Sequence, residues 1–309
     1  MIVYSGIKNE FLIAVEQDSI AKEIEENIYN KMHKKTAQNE FRSWENSLEY
    51  MYKVLNDNAI PENSGIAIEY NIPQTSKRVD FIISGYGENQ RSNVVIIELK
   101  QWDKVETVEG QDALVKVYMN GTLCKVVHPS YQAWSYAAMI YDYNQNVQLG
   151  NIVLHPCAYM HNYRKNNPEK LEQKQYEEYV KDAPVFARGE VLKLREFIKK
   201  FIKNGDDEQL LYDIDNGKIK PSKSLQNSIK SMIEGNQEFI MLDEQKVVYE
   251  EILETALKCI SDQKKRTVIV KGGPGTGKTV VAINLLAKLT NEGLFAQYTS
   301  KNSAPRNVY

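Results

Sequence analysis

The sequence is short of the residues that build metal knuckles and disulfide frameworks: 4 histidines and 3 cysteines in 309 residues. Cys124, Cys157 and Cys259 are odd in number and far apart. That excludes a disulfide scaffold or a zinc knuckle and points to a reducing, cytoplasmic setting. No H-x-x-x-H or H-E-x-x-H pair occurs. No apolar run approaches the ~20 residues of a membrane span. The start, Met1-Ile2-Val3-Tyr4-Ser5-Gly6, lacks the charged-then-apolar order of a signal peptide. No membrane partner is expected. Neither sign of charge dominates: 39 Lys+Arg against 41 Asp+Glu leave −2. A globally basic nucleic-acid coat protein is thereby excluded, but a local basic groove is not. There is no internal repeat and no low-complexity tract.

What is present is an ordinary globular composition, 42% hydrophobic and 26% charged, which rules out wholesale disorder. The length leaves room for two domains. The first 35 residues are mixed and charged, with a helix expected across Ile20–His33. A helix at Gln38–Asn56 follows, its apolar positions Phe41, Trp44, Leu48, Met51, Tyr52 and Leu55 recurring at three and four. Strands are expected at Gly65–Ile72, Arg78–Ser84 and Asn93–Lys100, with a hairpin loop centred near Asn89. Asp103–Val127 reads as a polar excursion with short strands. His128-Pro129-Ser130 opens a helix to about Tyr143, because proline suits a first turn. A strand at Asn151–Tyr159 and a helix at Gly189–Asn204 complete the first part. The stretch from 205 to 240 reads as a connector. Beyond it the pattern is helix Asp243–Ser261, strand Thr267–Val270, a Gly-rich loop, helix Lys278–Asn291 and strand Leu294–Thr299.

The loop Gly272-Gly273-Pro274-Gly275-Thr276-Gly277-Lys278-Thr279 carries the full G-x-x-x-x-G-K-[ST] pattern. Glycines let backbone N–H groups converge on phosphate oxygens, and the helix N-terminus adds its dipole. Lys278 is expected on the β/γ-phosphates of ATP and Thr279 on Mg²⁺. Upstream, Leu242-Asp243-Glu244-Gln245 resembles the glutamine motif of superfamily 1 helicases, which makes Gln245 an adenine contact by resemblance. Helix capping is the alternative for that stretch. No apolar strand ending in Asp-Glu follows the loop, so the expectation is a piece of a longer protein with negligible ATP turnover.

The second constellation is D…E-x-K on two adjacent strands, Asp80 and then Glu98-Leu99-Lys100. Alternation puts Glu98 and Lys100 on one face. A hairpin symmetric about Asn89 sets Asp80 opposite Glu98, with Cβ atoms ~5 Å apart. Two carboxylates that close repel unless a cation lies between them, and oxygen ligands select Mg²⁺ or Mn²⁺. The Leu99 carbonyl would complete the metal set, and Lys100 would assist a water. Taken alone, the same pattern also describes a solvated edge with an ion pair. Two neighbours add weight. Glu45 lies at the edge of the apolar stripe of the preceding helix, which would point it toward the sheet to ligate or position, and Gln132 and Tyr136 stand one turn apart on the following one, where they would brace the site or the scissile strand. His128, His155 and His161 read as structural; His155 and His161, six apart, have a shared face near Glu98 as the minor reading.

Together these residues resemble the PD-(D/E)XK nuclease core, in its RecB-like branch with the Q-x-x-x-Y signature. Val79-Asp80 stands where some members have Pro-Asp. Ser43-Trp44-Glu45, Arg78-Val79-Asp80-Phe81, Glu98-Leu99-Lys100, His128-Pro129-Ser130-Tyr131-Gln132, the Gly272–Thr279 loop and Lys301-Asn302-Ser303-Ala304-Pro305-Arg306-Asn307 resemble the Schlafen-group-3-like DNA/RNA helicase family. The resemblance implies an α/β restriction-endonuclease-like mixed sheet flanked by helices over 1–204, a connector over 205–240, and over 241–309 the first part of a P-loop, RecA-like ATPase. It implies a metal-dependent nuclease acting on DNA or RNA, coupled to a helicase motor, in defence against phage or foreign nucleic acid. The rival is a non-catalytic nucleic-acid-binding or partner-docking module with a nucleotide switch. Homo-oligomer and protein partners are left open.

Overall fold

A computed structural model of the protein describes residues 1–73, 75–119, 121–165, 169–219 and 239–299. The chain divides into two compact units, Met1–Cys124 with His128–Lys220, and Lys125–Val127 with Pro221–Tyr309.

The first unit opens with strand β1 (Ile2–Ile7) and helices α1 (Lys8–Glu16), α2 (Ile20–Met32) and α3 (Gln38–Leu55). Strands β2 (Gly65–Asn71), β3 (Arg78–Tyr86) and β4 (Ser92–Lys100) follow. The excursion forms β5 (Val105–Thr107), β6 (Leu114–Met119) and β7 (Thr122–Val127), a separate sheet in the order β5-β6-β7. Helix α4 (Pro129–Tyr143), short α5 (Gln145–Gln148) and strand β8 (Ile152–Met160) come next. A 3₁₀ turn (Lys174–Tyr176), α6 (Glu177–Asp182), β9 (Val185–Ala187), α7 (Val191–Phe201) and α8 (Gln209–Asp215) complete the unit.

The main sheet runs β1-β2-β3-β4-β8-β9. Strands β1 to β4 are an antiparallel meander, and β8 lies parallel to β4 with β9 parallel to β8. A parallel neighbour needs a crossover connection, and α4 lies within the one between β4 and β8. Both faces are covered, so the inner strands are near-continuous apolar runs rather than clean alternations. One face, through Ile66, Ile68, Phe81, Ile83, Val95, Ile97, Cys157 and Tyr159, packs with Phe11, Ile24, Trp44, Leu48, Met51, Leu194 and Ile198 of α1, α2, α3 and α7. Alternation turns Asp80, Ile96, Glu98 and Lys100 to the other face. There α4 packs on β4 and β8, and α8 on β2 and β3.

The connector expected from 205 begins later, because residues 205–219 belong to the first unit. Asp206 is the tie. Its carboxylate accepts from the Gly65 N–H (2.9 Å), the Ser84 hydroxyl (2.8 Å) and the Leu210 N–H (3.0 Å), joining β2, β3 and the first turn of α8. Gly65 makes room for the approach: a Cβ there would sit 3.0 Å from Leu211 Cδ1 and 3.2 Å from the Glu208 Cα. Burial raises the Asp206 pKa above the usual carboxylate value, against those three donors.

In the second unit, α9 (Glu244–Asp262) and α10 (Lys278–Asn291) pack through Tyr249, Leu253, Val281 and Leu285, joined by Met241. The strands expected at Thr267–Val270 and Leu294–Thr299 are absent among the described residues. A strand needs a hydrogen-bonded neighbour, and residues 239–299 supply none. Val268, Ile269 and Val270 are accordingly exposed, Ile269 to 77%. The 301–307 stretch lies outside the described residues, as does most of the 205–240 connector.

Asp206→Ala removes the acceptor for three buried donors and should cost about 2–4 kcal/mol of stability in urea denaturation. Asp206→Asn, which keeps one acceptor oxygen, should lose less. A loss under about 0.5 kcal/mol in Asp206→Ala would show that 205–215 is only loosely attached.

Candidate functional site

The site begins with the pairing of β3 and β4. Their register runs from Tyr86↔Ser92 to Phe81↔Ile97, centred on Asn89 of the hairpin loop. One step further sets Asp80 opposite Glu98, as the sequence symmetry requires. The Leu99 N–H donates to Asp80 Oδ2 at 2.8 Å, which holds the aspartate against β4. Glu98 is only 2% exposed. The Lys100 ammonium donates to Glu98 Oε1 at 2.6 Å and lies 5.4 Å from the centre of the Trp102 ring. A carboxylate this deep is costly unless paired, and the partner two residues on is the one strand alternation brings to the same face.

Helix α4, which packs on β4 and β8, carries Gln132 and Tyr136. Its N-terminus is fixed by His128, whose Nδ1 accepts from the Ser130 N–H at 3.1 Å. The imidazole proton must then sit on Nε2, which donates to the Leu171 carbonyl at 3.0 Å. Gln132 Nε2 donates to the Tyr136 hydroxyl at 2.8 Å, and Tyr136 is buried. The Q-x-x-x-Y pair is therefore one hydrogen-bonded unit.

Helix α3 contributes differently from expectation. Glu45 is exposed, while its neighbours Trp44, Ser47 and Leu48 are buried against the sheet. The carboxylate that α3 does engage is Glu40, which accepts from Arg78 Nη2 at 2.6 Å. Arg78 Nη1 also meets Glu69 Oε2 at 3.0 Å, and Trp44 Nε1 donates to Glu69 Oε1 at 2.8 Å. Glu69 is buried in β2 with a left-handed φ of 57°, unusual for a residue inside a strand. It stands between the pairs Ile68↔Phe81 and Tyr70↔Val79, hence opposite Asp80. Burial first, and the Asp80 charge second, push its carboxyl up to about 7, against Arg78 and Trp44. Nothing in the sequence marks Glu69 beyond its being an acid in an apolar strand.

A second polar cluster closes the ends of β4 and β8. Gln101 Nε2 donates to Ser43 Oγ (2.8 Å) and Ser47 Oγ (3.1 Å), and Asn162 donates to the Gln101 carbonyl at 3.0 Å. His161 Nε2 lies 3.1 Å from Ser47 Oγ, and its ring stacks on Tyr50. His155 is elsewhere: it pairs with Val95, bonds Asn93 at 2.9 Å and stacks on Phe201. The β8 neighbour of Glu98 is Ala158, so the two histidines do not share a face beside Glu98. Among the described residues no three His, Cys, Asp or Glu side chains converge as a ready-made metal cage.

In the second unit, Gly275 and Gly277 take left-handed φ of 75° and 80° in the Gly-rich loop, and α10 starts at Lys278. The Lys278 ammonium is bonded to the Gly272 and Gly273 carbonyls at 2.7 and 2.6 Å. The Thr276 hydroxyl donates to the Gly273 carbonyl at 2.9 Å, and Thr279 is exposed in the first turn of α10. Gln245, at the start of α9, donates to the Thr276 carbonyl at 3.2 Å and accepts from the Leu242 N–H at 3.0 Å. The left-handed φ of Gly277 favours glycine there, and a Cβ would displace the Gln245 amide from its place over the loop.

The family model for the Schlafen group 3, DNA/RNA helicase domain matches residues 265–309. The match covers the Gly-rich loop and leaves the first unit untouched. No curated protein and no solved structure matches the chain. No helix among the described residues is long and apolar enough to cross a membrane.

Burial lowers three histidines, His128 to about 3 and His155 and His161 to about 4. Each is neutral when folded and takes a proton near pH 6.5 when unfolded. Their contribution is complete above that pH and is lost as pH falls toward the folded values. Glu69, raised instead, contributes in the opposite sense and loses its share as pH rises through about 7. Stability in urea should therefore fall from pH 6.5 to 4.5. His155→Phe, which keeps a ring against Phe201, should fall by about 2 kcal/mol less over that interval. Parallel pH profiles would contradict the assignment.

Proposed function

We propose that the first unit is a PD-(D/E)XK, RecB-like metal-dependent nuclease that hydrolyses phosphodiester bonds of DNA or RNA. The second unit is then a superfamily 1 helicase-type, ATP-binding P-loop segment. The observation that carries the nuclease reading is the β3–β4 register, which faces Asp80 with Glu98 and sets Lys100 on the same side. The antiparallel β2-β3-β4 meander, the helix-containing crossover and parallel β8 support it, as does the Gln132–Tyr136 pair. The helicase-domain match and the Gly-rich loop support the second part.

The donor set suits Mg²⁺ or Mn²⁺: two carboxylates, Asp80 and Glu98, with the Leu99 carbonyl, all hard oxygens. When bound, such an ion supplies a water of lowered pKa and offsets phosphate charge. The Leu99 N–H fixes Asp80 and so ties the two strands at the site. Lys100 holds a positive charge beside Glu98, where it orients the attacking water and stabilises charge developing on the phosphate. Tyr136 fixes the Gln132 amide, which braces the scissile strand. Glu45, exposed on α3, would act only by reaching the substrate. In the second unit, phosphates of ATP would take Lys278 from the two loop carbonyls that now hold it, with Thr279 on Mg²⁺ and the loop's backbone N–H groups on phosphate oxygens.

One observation favours the rival, a nucleic-acid-binding module without catalysis. The Lys100–Glu98 ion pair by itself neutralises the buried carboxylate. A nuclease assay on single- and double-stranded DNA and RNA with Mg²⁺ or Mn²⁺ decides between them. The nuclease reading expects cleavage that Asp80→Ala and Glu98→Ala each abolish in folded protein, while Gln132→Ala slows it about ten- to a hundredfold. Binding without cleavage in any metal would establish the module.

The two activities should separate. Lys278→Ala should remove nucleotide binding, read with a fluorescent ATP analogue, and leave cleavage by this chain unchanged. Loss of cleavage in that variant would show that the phosphate loop and the carboxylate site work as one.

A further inference from the structure

Arg78 and Asp80 are two apart on β3, so strand geometry directs them to one side, with Cα atoms about 6.5 Å apart. A guanidinium at that separation is well placed to fork onto the aspartate and fill the position a cation needs. It does not do so. Arg78 is drawn instead to Glu40 on α3 at 2.6 Å and to Glu69 on β2 at 3.0 Å. Three further features show that this placement is built. Glu69 is buried, with only 7% of its surface exposed. Its carboxylate is oriented by a second donor, the Trp44 indole at 2.8 Å. And the chain accepts a left-handed φ of 57° at Glu69 within a strand, a conformation that costs an ordinary residue on the order of 1–3 kcal/mol.

We propose that Glu69, with Glu40, is a positioning residue that holds the Arg78 guanidinium off Asp80, so that the Asp80 carboxylate stays available to a divalent cation. The inference rests on the nuclease reading of Asp80 and Glu98. Arg78 remains close enough for its charge and that of Asp80 to be felt mutually. The two glutamates engage that charge locally, and without them it falls on Asp80. Neutralising Glu69 thus does more than loosen a contact: it releases a competitor for the cation. Removing the competitor as well should repair the defect, which a purely structural role for Glu69 does not allow.

The test is calorimetric titration of the whole chain with Mn²⁺ at pH 8, with folding followed by circular dichroism. Glu69→Gln, which keeps the shape and one acceptor for Trp44, should weaken Mn²⁺ binding about tenfold, since a freed cation now faces Asp80. Glu69→Gln combined with Arg78→Gln should recover to within about threefold of the original affinity. Glu40→Gln alone should weaken binding less than Glu69→Gln. Wild-type affinity in folded Glu69→Gln, or no recovery in the folded double variant, overturns the clamp while leaving the nuclease reading in place. Absence of Mn²⁺ binding in the unaltered chain overturns both.

Discussion

A slip of β4 by one residue against β3 would turn Glu98 and Lys100 through the sheet and bury them beside Phe81 and Ile83 of β3. The register of this one hairpin therefore decides whether Asp80, Glu98 and Lys100 meet at all. It is held from both ends. The loop closes through the Gly87 N–H to the Arg91 carbonyl at 2.9 Å, and the far end closes through the Leu99 N–H to Asp80 at 2.8 Å. Between them the strands contribute the apolar side chains of both faces, so a slipped pairing would drive two charges into the apolar core. The same contacts that fix the fold thus fix the spacing of the carboxylates.

Two groups of ion pairs lie on β3 and β4. Glu98 is paired with Lys100 on the same strand, and Arg78 with Glu40 and Glu69 from two other elements. Pairs of this kind add little net stability when compared with apolar packing of the same volume. What they contribute is definition: each fixes a long, flexible side chain in one direction beside Asp80. The indole of Trp44 serves both purposes, filling the apolar core with its ring and orienting Glu69 with its N–H.

Much of the first unit was legible in the sequence because its helices and inner strands carry strong periodicity. The hairpin symmetric about Asn89, the helix beginning at Pro129 and the strand before Met160 are where the pattern put them. Strand β1 was not, since its six residues mix Tyr, Ser and Gly and become a strand only by pairing with β2. Asp206 was hidden because an acid in a polar stretch reads as solvated, and only tertiary structure brings Gly65 and Ser84 to it. At the candidate site, alternation and symmetry foretold the juxtaposition of Asp80, Glu98 and Lys100, and helical spacing that of Gln132 with Tyr136. Glu45 was over-read: its place beside Trp44 in sequence leaves it a third of a turn off the buried stripe. Glu69 and Arg78 came only with the backbone turn at Glu69, which no local pattern encodes. In the second unit the loop and its flanking helices follow the motif, whereas Thr267–Val270 shows that an apolar run is a strand only in company.

The tautomer of His128 ties distant parts of the chain together. By accepting at one nitrogen and donating at the other, the ring links the first turn of α4 to the Leu171 carbonyl, a segment that the sequence separates from it by the whole of β8. Leu171 is in turn held through its own N–H by Glu169, which also accepts from Tyr163 at 2.9 Å just past the end of β8. The helix that carries Gln132 and Tyr136 is therefore not an independent rod resting on the sheet. It is tied at its base to the segment after β8, by the His128 imidazole and by Tyr131 and Trp134 packed on Tyr179, so a substitution that shifts that segment would be felt by the helix that carries the glutamine.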